Sequence, residues 1–152
     1  MDENNRIERV LHGDPAAFEC LVRKYQARLV AFLWNLLGSG DDARDAAQEA
    51  FIRAYANLGR FDRSRDFKNW LFAIAYNRGI DLLRRRRNFR FYWEQEKANG
   101  SAVGACPPAA DPIEASPFWQ PALRKLTPQE RSVLALKYNE DFGCGEIANT
   151  LG

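Results

Sequence analysis

The stretch FDRSRDFKNWLFAIAYNRGIDLLRRRRNFR, residues Phe61 to Arg90, decides how the rest of the chain is read. Asp66 is a fair N-cap for a segment starting at Phe67, and no proline interrupts it before Arg87, which predicts one long helix over 67–87. At about 100° per residue, Phe72, Tyr76, Ile80 and Leu83 share a face that can pack on neighbours. Trp70, Asn77, Asp81 and Arg84 fall within about 60° of one another on a second face. That stripe offers an indole to stack on an unpaired base, an amide for an adenine edge, a carboxylate to accept from cytosine and a guanidinium for guanine or phosphate. A plainer account is a solvated face on which Asp81 pairs with Arg78 or Arg85 at helical spacing. The adjacent block Arg84 to Arg87 weighs against it, because self-repelling charge at a helix end is better tolerated beside an anionic partner.

Charge is distributed accordingly. Residues 60–90 hold ten basic and three acidic side chains, a local charge of +7, whereas the whole 152-residue chain carries only +2. Both flanks are mildly acidic. Such concentration suggests a polyanion partner, nucleic acid first. A hydrophobic content of 46 % with 12 % aromatics is enough for real cores and argues against global disorder. The length suits one domain or two small ones. No apolar run approaches the roughly 20 residues of a membrane span, and MDENNRIERV is not a signal peptide, so a cytoplasmic protein without membrane insertion is expected. Three scattered cysteines (Cys20, Cys106, Cys144) and one histidine (His12) give no basis for a structural zinc site or a disulfide framework. With no phosphate loop and no nucleophile motif, no enzyme, metal or cofactor is expected. Asp41, Asp42 and Asp45 could be imagined on a metal, but acids in one exposed helical turn more often serve solubility.

Outward from the central stretch, residues 1–12 read as a frayed or lightly helical lead-in. Asp14 and Pro15 start a helix carrying Phe18, Leu21, Val22, Tyr25, Leu29, Phe32, Leu33 and Leu36 at core spacing, ended by Gly38-Ser39-Gly40. A second helix is predicted over about 41–58, with Ala43, Ala47, Ala50, Phe51, Ala54 and Leu58 buried. Opposite them lie Asp41, Asp45, Gln48, Glu49 and Ile52. The acids suit the helix dipole, but an exposed isoleucine ringed by acids resembles a docking patch for a basic partner. Beyond Asn88 the apolar period decays, and roughly 91–117 reads as a flexible linker, helical at most in its first turns. Phe89, Phe91, Tyr92 and Trp93 could instead close the first core. A second small unit begins near Phe118. Its clearest signal is the capping box Thr127-Pro128-Gln129-Glu130, followed by a turn and a short helix up to Gly152, the beginning of a helix-turn-helix.

Four segments, GDPAAFECLVRKY, DDARDAAQEAFIRAYANLGRF, FKNWLFAIAYNRGIDLLRRRR and LRKLTPQERSVLALKYNEDFGCGEIANTLG, together resemble a bacterial RNA polymerase sigma factor of the extracytoplasmic-function (ECF) group of the sigma-70 family. Their order and spacing cover most of the chain outside its ends and linker. The resemblance implies an all-α fold: a region 2 bundle of three to four helices over 1–90, the linker 91–117, and over 118–152 a partial region 4 helix-turn-helix that lacks its recognition helix. It implies that the protein directs RNA polymerase core to promoters and opens the −10 element. By position, Asp41, Asp45, Gln48, Glu49 and Ile52 would face the clamp of the largest polymerase subunit, while region 4 would meet the flap of the second largest. Trp70, Asn77 and Asp81 would read the −10 element, and Arg84, Arg85, Arg86 and Arg87 would lie on phosphate. The loop with Arg60, Arg63, Arg65 and Lys68 would pocket a flipped-out base. An anti-sigma factor is a further candidate partner. Two departures stand out: Gly143-Cys144-Gly145 replaces the usual serine-like cap, at a cost of about 1 kcal/mol for Gly145 in the first turn, and the −35 recognition helix is missing. A small non-sigma DNA-binding regulator using helix 67–87 is the alternative, but it gives no reason for the acidic face around Gln48.

Overall fold

The computed structural model describes residues 3–98 and 125–152, and the helices that result follow from local signals along the chain. Asp14 accepts the Ala16 N–H and Pro15 occupies the first position of the long second helix, so that the segment from Pro15 is already committed to helix at its start. Gly38, at φ 70°, ends it in the left-handed conformation that a side chain resists. Among the described residues there are six α-helices and no strand: α1 (Glu3–Leu11), α2 (Pro15–Leu37), α3 (Gly40–Asn57), α4 (Phe67–Ala98), α5 (Pro128–Tyr138) and α6 (Cys144–Leu151), with a 3-10 turn at Leu58–Arg60. This all-α architecture agrees with the sequence reading. Ser39 caps α3 through the Asp42 N–H, Asp66 accepts the Lys68 N–H at the start of α4, and Thr127 and Glu130 close the expected capping box at α5. At α6, Glu146 accepts the Gly143 N–H, and glycine supplies no side chain for the reciprocal bond.

The predicted inner faces are buried. Every apolar position named for α2 is in the core except Val22, which is half-buried against it, and the alanines of α3 admit α2 closely. On α4, Phe67, Leu71, Phe72, Ala75 and Tyr76 are buried, with Ile80 and Leu83 half-buried behind them.

Two expectations change. The lead-in is not frayed: α1 is a helix whose Ile7 and Val10 enter the core. It is pinned by Glu3, which accepts from Lys24 and, at 2.5 Å, from the Tyr25 hydroxyl. Burial raises the Glu3 carboxyl, but hydrogen bonds from Lys24 and Tyr25 outweigh it and hold the group below its ordinary range. Burial pushes the Tyr25 hydroxyl well up, and the Glu3 carboxylate adds to this. Second, α4 does not stop near Arg87: its backbone stays helical through Ala98, into the stretch expected as linker. The rest of that linker and the start of the second unit near Phe118 lie outside the described residues, as do the side chains of Phe89, Phe91, Tyr92 and Trp93.

One glycine sets how closely the two longest helices approach. A Cβ on Gly79 would meet Leu36 Cδ2 at 2.3 Å and Leu33 Cδ2 at 3.3 Å. Leu33 and Leu36 are fully buried, so neither can swing aside into solvent. Gly79→Ala gains about 1 kcal/mol of helix propensity but overpacks a dense core, a cost of about 1–3 kcal/mol. The expected result is a net loss of stability in urea denaturation, and a double variant with Leu36→Ala that loses less than the two single losses added together. Additive effects of the two substitutions would contradict the close contact.

Candidate nucleic-acid and protein interfaces

α4 carries the candidate strand-reading residues on the side away from its buried face. Asn77 is exposed, Asp81 and Trp70 are half-buried, and Arg84 to Arg87 are exposed. The bundle therefore orients the stripe outward, but its members are not equally available. Trp70 is tied into an aromatic cluster, its ring centroid 4.9 Å from Phe61 and 5.8 Å from Phe67. Asp81 pairs with Arg84 at 4.0 Å, one turn on, and not with Arg78 or Arg85. Arg78 turns instead to α3: its Nε lies 2.5 Å from Glu49 Oε2, and the side chain is 12 % exposed. Arg86 is paired with Asp42 and reaches the Leu37 carbonyl at the end of α2. Arg85 and Arg87 have no acid partner among the described residues.

The loop before α4 is ordered by its own polar groups. Asp62 accepts from the Ser64 N–H at 3.0 Å and the Ser64 hydroxyl at 2.7 Å, forming an Asx turn. Those hydrogen bonds hold the Asp62 carboxyl below its usual range. Arg60, Arg63 and Arg65 are exposed around this turn, with Arg63 3.7 Å from Glu8 of α1. Lys68 is different. It is only 18 % exposed, and its Nζ donates to the Glu140 carbonyl at 2.5 Å.

On α3, Asp41, Asp45, Gln48 and Ile52 are exposed, Ile52 to 61 %. Ile52 and Tyr55 line an apolar groove between α2 and α3 floored by Phe18, Val22 and Phe51, with Gln48 and Arg44 at its rim. Tyr55, missed in the sequence reading, packs edge-on against Phe18 at 5.0 Å while staying exposed on its other side. Among the described residues, no group of His, Cys, Asp and Glu could hold a metal ion, and no helix is long and apolar enough to cross a membrane.

Comparison with known proteins matches this layout to one family. The Sigma-70 region 2 family covers residues 21–89, which take in α3, the Asx-turn loop, all but the first turns of α2 and the first two-thirds of α4. The chain is 35 % identical to the ECF RNA polymerase sigma factor SigW of Bacillus subtilis over 96 % of its own length and 83 % of that protein's. This chain belongs to the ECF group of sigma-70-family sigma factors. Other relatives match over a shorter range: the RNA polymerase sigma-H factor of Pseudomonas aeruginosa is 44 % identical over 47 % of this sigma factor and 37 % of its own length. The ECF sigma-E factor of Escherichia coli K12 is 40 % identical over 51 % of this chain and 40 % of its own. Among solved structures, the sigma factor RpoE in complex with the anti-sigma factor NepR, from Bartonella quintana, shares the fold with a TM-score of 0.66 at 24 % identity, over 88 % of this chain and 81 % of that one.

In this sigma factor the acidic face of α3 is not uniformly free. Asp45 and Glu49 were both expected exposed, but Glu49 is half-buried between two cations, Arg53 at 3.1 Å and Arg78 at 2.5 Å. It holds α3 to α4. Asp45→Lys is therefore expected to leave stability within about 0.5 kcal/mol of the parent. Glu49→Lys sets like charge against Arg53 and the nearly buried Arg78, and should lower stability by about 1–3 kcal/mol. Urea denaturation of the two variants distinguishes them, and equal stabilities would contradict a structural role for Glu49.

Proposed function

We propose that this sigma factor directs RNA polymerase core to promoters, docking through the α2–α3 groove and opening the −10 element with α4 and the loop before it. The observation that carries the docking half is Ile52: a large apolar side chain left 61 % exposed beside Tyr55, at the mouth of an apolar groove rimmed by Gln48 and Arg44. Burying such an anchor in a partner contributes most of an interface's affinity, while the surrounding charges steer the encounter. Asp41 and Asp45, exposed further toward the start of α3, and Gln48 at the groove would face a basic clamp helix, and Glu49 contributes mainly by holding α3 in place. Promoter DNA and core polymerase are thus the proposed partners, and an anti-sigma factor, with which the Bartonella quintana RpoE was solved, is a third.

For strand reading, Asn77 is the best-placed base-edge donor, exposed on the outer stripe one turn from Asp81. Arg85 and Arg87, free of acid partners among the described residues, provide phosphate contacts. The Asx-turned loop gives a preordered rim for an extruded base, whose flipping costs a few kcal/mol that the pocket must return.

Ile52→Glu is expected to weaken core polymerase binding by about 2 kcal/mol or more, roughly thirtyfold, with circular dichroism unchanged. Undiminished binding in a pulldown or titration with purified core enzyme would refute the groove as the docking site. In run-off transcription with core enzyme, Asn77→Ala should shift base preference at one −10 position by about 1–3 kcal/mol. Arg87→Ala should weaken all promoter sequences alike, since phosphate contacts position without reading. Unchanged preference in Asn77→Ala would reduce α4 to an electrostatic tether.

A further inference from the structure

The loop between Phe61 and Phe67 owes its shape to bonds within itself. Asp62 folds it through Ser64, and the Arg65 N–H closes the turn on the Asp62 carbonyl at 3.0 Å. Such local bonds do not say where the loop sits on the bundle. Its two ends do so in part. Phe61 and Phe67 are both buried, edge to face with ring centroids 5.7 Å apart. Phe67 in turn lies 6.0 Å from the Tyr25 ring of α2.

The rest comes from α1. At its start, Glu3 accepts from Lys24 and from the hydroxyl of the same Tyr25, while Lys24 Nζ stands 5.1 Å over that ring. Ile7 and Val10 are buried beneath the helix. Near its end, Arg9 Nε donates to Asp14 Oδ2 at 3.0 Å and ties α1 to the cap of α2. So held, α1 turns two side chains toward the loop. Glu8 lies 3.7 Å from Arg63. Leu11 Cδ2 would stand 3.9 Å from a Cβ on Gly59, so the leucine lies against the 3-10 turn that leads into Phe61. Neither contact does much for stability. An exposed ion pair contributes little, and Leu11, 42 % exposed, buries only part of its surface. What the two share is a target, the segment 59–63 whose placement the loop's own bonds leave open.

From this geometry we infer that α1 is a brace for the strand-reading loop, in which Glu8 and Leu11 are positioning residues for promoter opening and Glu3 anchors the helix that carries them. The inference rests on the proposed role of the loop at the extruded base. A recognition site works only when groups outside it hold it in the productive geometry. A loop shifted from its frame keeps its cations and can still meet phosphate. It no longer offers its rim where the base arrives. Bracing therefore acts on opening and not on the first encounter with DNA.

The test uses the full chain with core polymerase and a promoter that the parent transcribes. Glu8→Gln combined with Leu11→Ala cuts both contacts and leaves α1 anchored. Glu3→Ala releases the anchor, whereas Glu3→Gln keeps an acceptor for the Tyr25 hydroxyl. Loop order is read from hydrogen exchange of peptides spanning 59–67, and opening from the rate of open-complex formation. The double variant and Glu3→Ala should exchange faster in those peptides and open duplex promoter about fivefold more slowly, a usual size for coupling through a packed network. Initial binding, core affinity and transcription from a pre-melted template should match the parent, and Glu3→Gln should behave as the parent throughout. Should Glu3→Ala lose helicity by circular dichroism, the double variant alone decides. Unchanged loop exchange in the double variant overturns the brace, and so does an equal loss on duplex and pre-melted templates. Equal impairment by Glu3→Gln and Glu3→Ala overturns the anchoring role of the Glu3–Tyr25 hydrogen bond. Asp62→Ala with Arg65→Ala alters the loop itself and separates the remaining cases. If it slows opening while a loosened α1 does not, the brace fails and the role of the loop stands. If it leaves opening unchanged, the assignment of the loop to the extruded base fails, and the inference with it.

Discussion

Much of this molecule depends on how closely α4 can lie against α2. Gly79 removes the Cβ that would collide with Leu36, and Phe72 and Tyr76 then seat on the same side of the helix. Because a helix is rigid over these lengths, burying that face fixes the direction of every other residue on it. The outward aim of Asn77 and of Arg84 to Arg87 is thus a consequence of apolar packing on the opposite side. The candidate nucleic-acid surface needs no separate scaffold. It is the back of the core's own central helix.

Electrostatics refine what packing sets. The concentration of positive charge around α4 is partly neutralised inside the protein, since α3 supplies Glu49 to Arg78 and Asp42 to Arg86. These cross-helix pairs lie along the α3–α4 seam, where α4 is half-buried, and lock the rotation of α4 about its axis. The cations left for an external partner are fewer and sit further along the helix. Exposed ion pairs contribute little individually, but the nearly buried Arg78 makes its pair with Glu49 one that cannot be broken without cost. The same acids that look like a docking face therefore divide between two tasks. Asp41 and Asp45 stay in water, while Asp42 and Glu49 face their own chain.

The C-terminal helices add a second use of the same chemistry. Arg28 and Lys68 come from α2 and α4, and the bundle brings them together around the Glu140 carboxylate, with Lys68 over the Phe142 ring. A carboxylate two residues from a phenyl ring fits such a surface.

Much of the secondary structure was legible because its signals are local. Asp14, Asp66 and the Thr127–Glu130 box act over two or three residues, and the alanine face of α3 repeats at helical spacing. Where a signal was short or decayed, the reading fell short: α1 offers only Ile7 and Val10 to the core, and α4 continues as backbone helix after its apolar period has lapsed. The candidate site divides the same way. The outward stripe of α4 and the exposure of Ile52 followed from helical geometry alone, and four ordered segments were enough to place the family. No sequence rule joined Arg28 to Glu140, 112 residues apart, or separated Glu49 from Asp45. Those assignments depend on which helices become neighbours, and neighbours are chosen by the burial of faces whose partners lie far along the chain. The sequence by itself determined where the helices begin and which sides of them are apolar. Only the tertiary structure decided which charges meet, because an ion pair between helices exists only after the core beneath it has closed.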